Sequence, residues 1–134
     1  PISIVTKVGS IMPLVNSAAG RVFASYLPEA LTKPLMHAEW EKATLNHSQV
    51  KPTNWDEFLV LKENTLQQGM AIAQGDLLVG INAVGLPIFN AHLAMEFCIV
   101  ALDSEMFLPV NAGSEKLELF KREVAAMNQY IQTR

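Results

Sequence analysis

The sequence predicts an α+β fold in which a mostly antiparallel sheet is flanked by helices, and three observations predict it. Residues 18–27 follow a capping Ser17 and keep apolar side chains on one face, which is typical of a helix. Two long apolar runs, residues 80–89 and 95–102, lie close together and predict paired strands. Ser114 precedes a segment whose apolar residues recur every three or four positions. The predicted order, which is two strands, then helices, then three strands and a last helix, suggests the α+β class.

The first residues predict two short strands separated by a turn. Residues 2–8 alternate loosely and carry β-branched side chains, and Gly9-Ser10 then forms the turn. Residues 12–15 predict a second strand. Pro13 restricts that strand to a sheet edge or a bend, because proline has no backbone N–H to donate.

Two helices follow these strands. Asn16 or Ser17 caps the helix over residues 18–27, whose apolar face consists of Val22, Phe23 and Tyr26. Residues 28–36 predict a second, short helix that Pro34 interrupts.

The middle of the chain predicts a loop and then a well-capped helix. Residues 37–52 are mixed and polar, which indicates a loop with one helical turn. Asn54 caps the next helix, with Glu57 placed for a capping box, and Gly69 ends it in the left-handed conformation. The predicted apolar face of this helix consists of Phe58, Leu61, Thr65 and Leu66.

The second half predicts three strands and a helix. Residues 70–73 form a short strand and residues 74–79 a loop. Residues 80–89 and 95–102 are the two longest strands, and a hairpin through residues 90–92 joins them. The final helix keeps one apolar face, which consists of Leu117, Phe120, Val124, Met127 and Ile131.

Composition limits the classes of function. The chain has 134 residues, enough for one domain over residues 1–134; half of them are hydrophobic, 17% are charged and the formal net charge is −3. The densest basic spot, Lys121-Arg122, lies between two glutamates, so direct DNA binding by this chain is disfavoured. No run of about 18 apolar residues predicts a membrane span, and the first residues lack the basic start and apolar core that are typical of a signal peptide. The single cysteine, Cys98, lies in an apolar run and predicts a buried thiol in a reducing cytoplasm.

Motifs for metal binding and catalysis are weak. His37, His47 and His92 are scattered without a nearby second ligand, so we expect exposed loop histidines, no metal and no cofactor. Asp76 is the only titratable residue expected near a cavity, and a loop or capping carboxylate is favoured over a general base. Pro1-Ile2 matches the start of tautomerase chains, which use the proline amine as a base. Those folds repeat a strand–helix unit that is absent here, so an enzyme ranks third among the functions considered.

An ordered set of short motifs covers nearly the whole chain. It consists of Gly9-Ser10-Ile11-Met12-Pro13-Leu14, Ser17-Ala18-Ala19-Gly20-Arg21, Leu27-Pro28, Gln68-Gly69-Met70, Asp76 followed by Gly80, and Pro87-Ile88-Phe89-Asn90. In this order and spacing, the chain resembles the effector-binding domain of the IclR family of bacterial transcription regulators. The resemblance implies a GAF- or profilin-like domain that binds a small metabolite. It also implies a winged helix-turn-helix DNA reader, and we expect that reader and the first strand or helix of the effector domain to be absent from this chain.

The resemblance also implies a ligand site. Carried over position by position, the site consists of Ile4, Met12, Ser17, Ala18, Ala19, Ala73, Ala83, Val100 and Leu102. Relatives that bind small oxo-acids have polar side chains at several of these positions, whereas this chain has alanine, valine and leucine. The family commonly has an arginine at the position after the loop glycine, where this chain has Asn82. The first-turn N–H groups of a helix at Ala18 and Ala19 favour a carboxylate. The predicted effector is therefore a hydrophobic or aromatic organic acid.

Two classes of function stay open at this stage. The first is a sensor domain that binds an effector and acts through two arrangements of a homodimer or tetramer. The second is a structural module that only oligomerises the regulator, with Val100 and Leu102 filling the core. Substitution of Ala83 by tryptophan separates them, because it blocks a real cavity and abolishes stabilisation by a ligand.

Overall fold

The computed structural model describes residues 7–111 and 113–133. Within them it contains the helices α1 (Ala18–Tyr26), α2 (Glu29–Leu45), α3 (Trp55–Gln68) and α4 (Glu115–Gln132), and the strands β1 (Ala71–Gln74), β2 (Ile81–Phe89) and β3 (Met95–Ser104). The predicted α+β class is confirmed. The strand predicted over residues 2–8 lies almost wholly outside the described residues, and Lys7 and Val8 are not in a strand.

The described strands form an antiparallel sheet in the order β1–β2–β3. Ala83 pairs with Ala73 on one side and with Leu102 on the other, and Gly85 pairs with Ala71 and Val100. The predicted hairpin is confirmed: the Asn90 side-chain oxygen accepts hydrogen bonds from the backbone N–H groups of His92 and Ala94 and closes the turn.

The two faces of the sheet carry different side chains because successive residues of a strand point to opposite sides. On one face, large aliphatic residues pack against α4 and form the main core, which consists of Met70, Val84, Leu86, Ile88, Leu108, Leu117 and Val124. The other face lies under α1 and carries mainly small residues, among them Ala71, Ala73, Ala83 and Gly85.

Helix α4 also protects the part of β2 that β1 does not reach. β1 pairs with β2 only up to Gly85. Beyond it, the Asn128 side chain accepts a hydrogen bond from the Phe89 N–H (2.8 Å) and donates one to the Pro87 carbonyl (3.0 Å). The Asn128 amide thus bonds to both of these backbone groups, which an exposed edge strand would offer to another chain.

The prediction of a short second helix followed by a loop was wrong. α2 continues through Pro34 to Leu45. Proline removes one helical hydrogen bond, but Met36 is fully buried with Val15, Ala24 and Phe58 in a second core. This packing outweighs the local cost of the proline, and it places His37 on a helix instead of in a loop.

The strand predicted over residues 12–15 is also absent. The backbone N–H groups of Leu14 and Val15 donate to the Glu39 carboxylate at 2.9 and 3.0 Å, and the Pro13 carbonyl accepts from the Ser17 hydroxyl. These backbone groups bond to side chains and leave no ladder for a strand.

The predicted caps at Ser17, Asn54, Ser114 and Gly69 are confirmed, whereas the Glu57 carboxylate accepts from the Thr53 N–H at 2.8 Å instead of from the Asn54 N–H that a capping box would use. The side chains of Ser17, Asn54 and Ser114 accept from backbone N–H groups in the first turns of α1, α3 and α4, and Gly69 ends α3 with a φ of 71°. Leu66 and Met127, which belong to the predicted apolar faces of α3 and α4, are each 45% exposed.

Candidate ligand cavity

A cavity lies where α1 begins, because small residues of the sheet are left uncovered there. A Cβ atom on Gly85 would lie 3.0 Å from Val22 Cγ2 and 3.1 Å from the Ala18 carbonyl oxygen, so α1 rests directly on this glycine. The neighbouring row of the sheet holds Ala73 and Ala83. α1 has no residues before Ala18 to cover that row. The space left between helix and sheet is about 220 Å³.

The structure brings the predicted site residues together around this cavity. Its lining consists of Met12, Ser17, Ala18, Ala19, Ala73, Leu77, Leu78, Ile81, Ala83, Val100 and Leu102. Every predicted residue is among them except Ile4, which lies outside the described residues. Val100 and Leu102 line the space without filling it.

Glycine and serine set the position of the segment that carries Met12. A Cβ atom on Gly20 would lie 2.0 Å from the Pro13 carbonyl oxygen, so only glycine allows residues 13–14 to cross α1 this closely. The Ser17 hydroxyl donates to that same carbonyl at 2.6 Å and accepts from the Gly20 N–H at 2.9 Å. The hydroxyl is thereby fully engaged, and it holds Met12 at the cavity wall.

The cavity is apolar apart from the helix terminus. None of its lining residues is ionisable. The N–H groups of Ala18 and Ala19 lie in the first turn of α1 and find no acceptor in the described part of the chain. The first N–H groups of a helix carry partial positive charge and attract an anion or a carbonyl oxygen. This end of the cavity is therefore its polar anchor point.

A buried arginine links the segments that form the cavity walls, although it does not line the cavity itself. The sequence did not reveal this role. Arg21 is 2% exposed and donates to the carbonyls of Val15, Ile72 and Lys51 and to the Asp76 carboxylate. Burial lowers the pKa of its guanidinium, while the charge of Asp76 opposes that shift. An arginine remains charged under such conditions, so the Arg21 cation stays bound to these partners as a structural element of the fold.

Asp76 lies in the loop between β1 and β2, as predicted, and it is a structural carboxylate. Its Oδ2 accepts from Arg21 Nη1 at 3.0 Å and from the Gln74 N–H at 3.2 Å. The next two residues, Leu77 and Leu78, line the cavity and were missed. Their signal in the sequence was a run of three apolar residues, Leu77 to Val79, within a loop that the sequence otherwise builds from glycine and polar residues.

A larger cleft of about 450 Å³ lies between α3 and β1 and is a weaker candidate for an organic ligand. It is open to solvent, and its wall includes the paired charges of Arg21 and Asp76. Because these groups already satisfy each other, they offer little to a ligand. The smaller cavity is less open than the cleft and its wall is mainly apolar, as ligand sites usually are.

Other reactive groups do not assemble into a site within the described residues. They contain no cluster of three or more histidine, cysteine or acidic residues that could hold a metal ion. His37 packs against Trp40 and Trp55 on the surface of α2 and α3. Cys98 is half-buried, and this burial raises the pKa of its thiol, which disfavours a nucleophile. No helix in the described ranges is both long and apolar enough to cross a membrane.

Sequence comparison identifies a family. The profile described as "Bacterial transcriptional regulator IclR C-terminal" matches residues 1–106. Comparison with curated proteins gives no significant match.

Solved structures share the fold at low identity. HmgR of Pseudomonas aeruginosa has a TM-score of 0.81 and 24% identity over 98% of this chain and 50% of its own. IclR of Thermotoga maritima has a TM-score of 0.70 and 17% identity over 98% of this chain and 52% of its own. A double mutant of the PobR inducer-binding domain from Acinetobacter, in complex with 3-hydroxybenzoic acid, has a TM-score of 0.67 and 15% identity over 87% of this chain and 66% of its own. This chain spans about half the length of HmgR. Because the family profile covers most of the sequence, the chain belongs to the IclR family of bacterial transcriptional regulators, as a C-terminal regulatory domain.

Proposed function

We propose that this domain binds a small aromatic or otherwise hydrophobic organic acid in the cavity beneath α1. The observation that carries the proposal is an apolar space of about 220 Å³ lined in part by Ala18 and Ala19, whose N–H groups have no acceptor among the described residues. The apolar part of the ligand fills the space over Ala73 and Ala83, and its carboxylate accepts from the helix N-terminus.

The size of the cavity limits the ligand. An enclosed apolar cavity of about 150 Å³ accommodates benzene in other proteins. A space of about 220 Å³ therefore suits one six-membered ring with a short substituent. It is too small for two fused rings that carry further groups.

The polarity of the cavity limits the ligand further. A small polar acid would bury most of its oxygen atoms against Ala83, Val100 and Leu102, which provide no hydrogen bonds, and burying unpaired polar groups is costly. The complex of the PobR domain with 3-hydroxybenzoic acid, a single-ring acid, supports this class of ligand for the shared fold. At 15% identity, the support comes from the fold alone.

We propose that ligand binding regulates transcription through a homo-oligomer in the cytoplasm. DNA is contacted by a part of the regulator outside this chain, and the ligand acts by binding two arrangements of a dimer or tetramer with different affinities. Large apolar side chains on the surface support self-association, among them Ile11, Val79, Phe97 and Met106, which are 95%, 97%, 62% and 80% exposed.

Thermal unfolding tests the proposal. The wild-type chain, Ala83→Trp and the exposed control Ala38→Trp are heated with benzoate, 3-hydroxybenzoate, phenylacetate, pyruvate and glyoxylate in turn. We expect a single-ring acid to raise the Tm of the wild type and of Ala38→Trp but not of Ala83→Trp. At a ligand concentration 100 times Kd, the gain in unfolding free energy is about 2.7 kcal/mol.

Two results would contradict the proposal. A rise in Tm that survives in Ala83→Trp would place the ligand elsewhere. No rise with any acid, together with an oligomer in light scattering, would favour the structural module.

A further inference from the structure

The loop between β1 and β2, residues 75–80, separates the cavity from the larger cleft. Asp76 lines the cleft on one side of the loop, whereas Leu77 and Leu78 line the cavity on the other. We call these two leucines the lip. The charged Asp76, which anchors the loop, and the two leucines, which form part of the cavity wall, are therefore consecutive residues.

The anchor side of the loop is firmly held. The ion pair between Asp76 and Arg21 measures 3.0 Å, and its two side chains are only 22% and 3% exposed. A pair so shielded from water is stronger than an exposed surface pair. The Asn16 side chain adds a longer hydrogen bond, 3.4 Å, to the backbone carbonyl of Asp76.

The lip side of the loop is held weakly. Leu77 and Leu78 are 41% and 47% exposed although they line the cavity. The N–H groups of Leu77, Leu78 and Val79 have no acceptor in the described ranges of the chain. Among the described residues, two backbone bonds close the loop, from the Gly75 N–H to the Ile81 carbonyl and from the Ile81 N–H to the Leu78 carbonyl, and a third holds its last residue, from the Glu105 N–H to the Gly80 carbonyl. A segment with so few contacts opens easily.

The difference between the firmly held and the weakly held side of the loop supports an inference that rests on the proposed function. We propose that Asp76 is a positioning residue for effector binding, because its ion pair with Arg21 fixes the lip at the mouth of the cavity. Neither charged side chain lines the cavity, so both act through Leu77 and Leu78. The apolar ligand packs beneath the two leucines, and affinity depends on a charge pair that the ligand does not touch.

Affinity and loop protection test the inference together. Binding of 3-hydroxybenzoate is measured by calorimetry on the wild type, Asp76→Asn, Asp76→Glu and the exposed control Asp103→Asn, under conditions where circular dichroism shows each to be folded. We expect Asp76→Asn to raise Kd about tenfold, which is within the usual range of coupling between sites, and Asp76→Glu to recover part of the affinity. Asp103→Asn leaves Kd unchanged.

Two further measurements separate positioning from a general loss of stability. Ser114→Ala removes the cap of α4, far from the loop, and is expected to lower Tm without changing Kd. In ligand-free Asp76→Asn, the amide protons of Gly75 and Ile81 are expected to exchange about tenfold faster than in wild type. Should Asp76→Asn fail to fold, Leu78→Ala replaces it, since this half-exposed leucine is tolerant of change, and the same rise in Kd is expected.

Different experimental results would contradict the inference and the proposed function. Equal Kd values for wild type, Asp76→Asn and Leu78→Ala, or unchanged exchange at Gly75 and Ile81, would overturn the inference while the proposed function stands. Absence of binding by the wild type to any acid in the panel would overturn both.

Discussion

The two faces of the sheet are built from the same three strands and are held in different ways. On the α4 face, Val84, Leu86 and Ile88 interlock with apolar residues of the helix, and close packing provides the cohesion. On the α1 face, Ala73 and Ala83 fill little space, and the elements are tied by hydrogen bonds instead.

This difference shows how a small domain keeps a cavity open. A face that leaves apolar space empty loses packing energy, so another force must hold its walls apart. Arg21, Ser17 and Glu39 supply that force with bonds to backbone groups around the cavity. Polar bonds on the α1 face thus supply the cohesion that close packing supplies on the α4 face.

The largest effect is expected for Arg21→Leu. The substitution removes the hydrogen bonds from Arg21 to the Ile72 carbonyl in β1 and to the Lys51 carbonyl before α3, and it leaves the Asp76 carboxylate without its cationic partner. Breaking such a buried pair costs about 4 kcal/mol. Urea unfolding measures the loss, with the exposed Arg122→Leu as a control. A loss as small as that of the control would mean that packing also holds the α1 face.

The next largest effect is expected for Leu86→Ala on the α4 face. This side chain is 7% exposed within the main core, and its truncation leaves a void that the neighbours fill only in part. The expected loss is about 3 kcal/mol in the free energy of unfolding. A loss below 1 kcal/mol by calorimetry would show a loosely packed α4 face and remove the contrast.

A smaller effect is expected for Ser17→Ala. The hydroxyl caps α1 and also donates to the Pro13 carbonyl, whereas Ser114 only caps α4. Loss of a helix cap costs about 1 kcal/mol. Denaturant unfolding of Ser17→Ala and Ser114→Ala should therefore show the larger loss at Ser17. Equal losses would mean that the Pro13 bond adds nothing.

The smallest effect on stability is expected for Ala83→Leu. Its added carbon atoms enter empty space, so stability should change by less than about 1 kcal/mol, although the same enlargement in a filled core costs more. Ligand binding should be lost. Thermal unfolding with and without 3-hydroxybenzoate measures both properties. A strong destabilisation would indicate that the space over Ala83 is already filled.

The sequence predicted features that depend on local chemistry. The caps at Ser17, Asn54 and Ser114 follow from side chains that bond to nearby N–H groups, and the long strands follow from uninterrupted apolar runs. Eight of the eleven lining residues came from family resemblance, and the structure places them around one space; Leu77, Leu78 and Ile81 were missed.

The sequence failed where distant contacts decide the structure. Pro34 stays inside a helix because Met36 packs into a core with Val15 and Phe58, which are far away in the chain. The role of Arg21 depends on carbonyl groups from three separate segments, and a single arginine on an apolar helix carries no local sign of them.

The most direct test of the central claim is an NMR titration of the isotope-labelled chain with 3-hydroxybenzoate. We predict that amide shifts concentrate at Ala18, Ala19, Ala73 and Ala83 and saturate with a single Kd. Shifts centred instead on Asn64, Gln68 and Gln74 in the larger cleft, or no saturable shifts, would contradict the claim that the α1 face is kept open for a ligand.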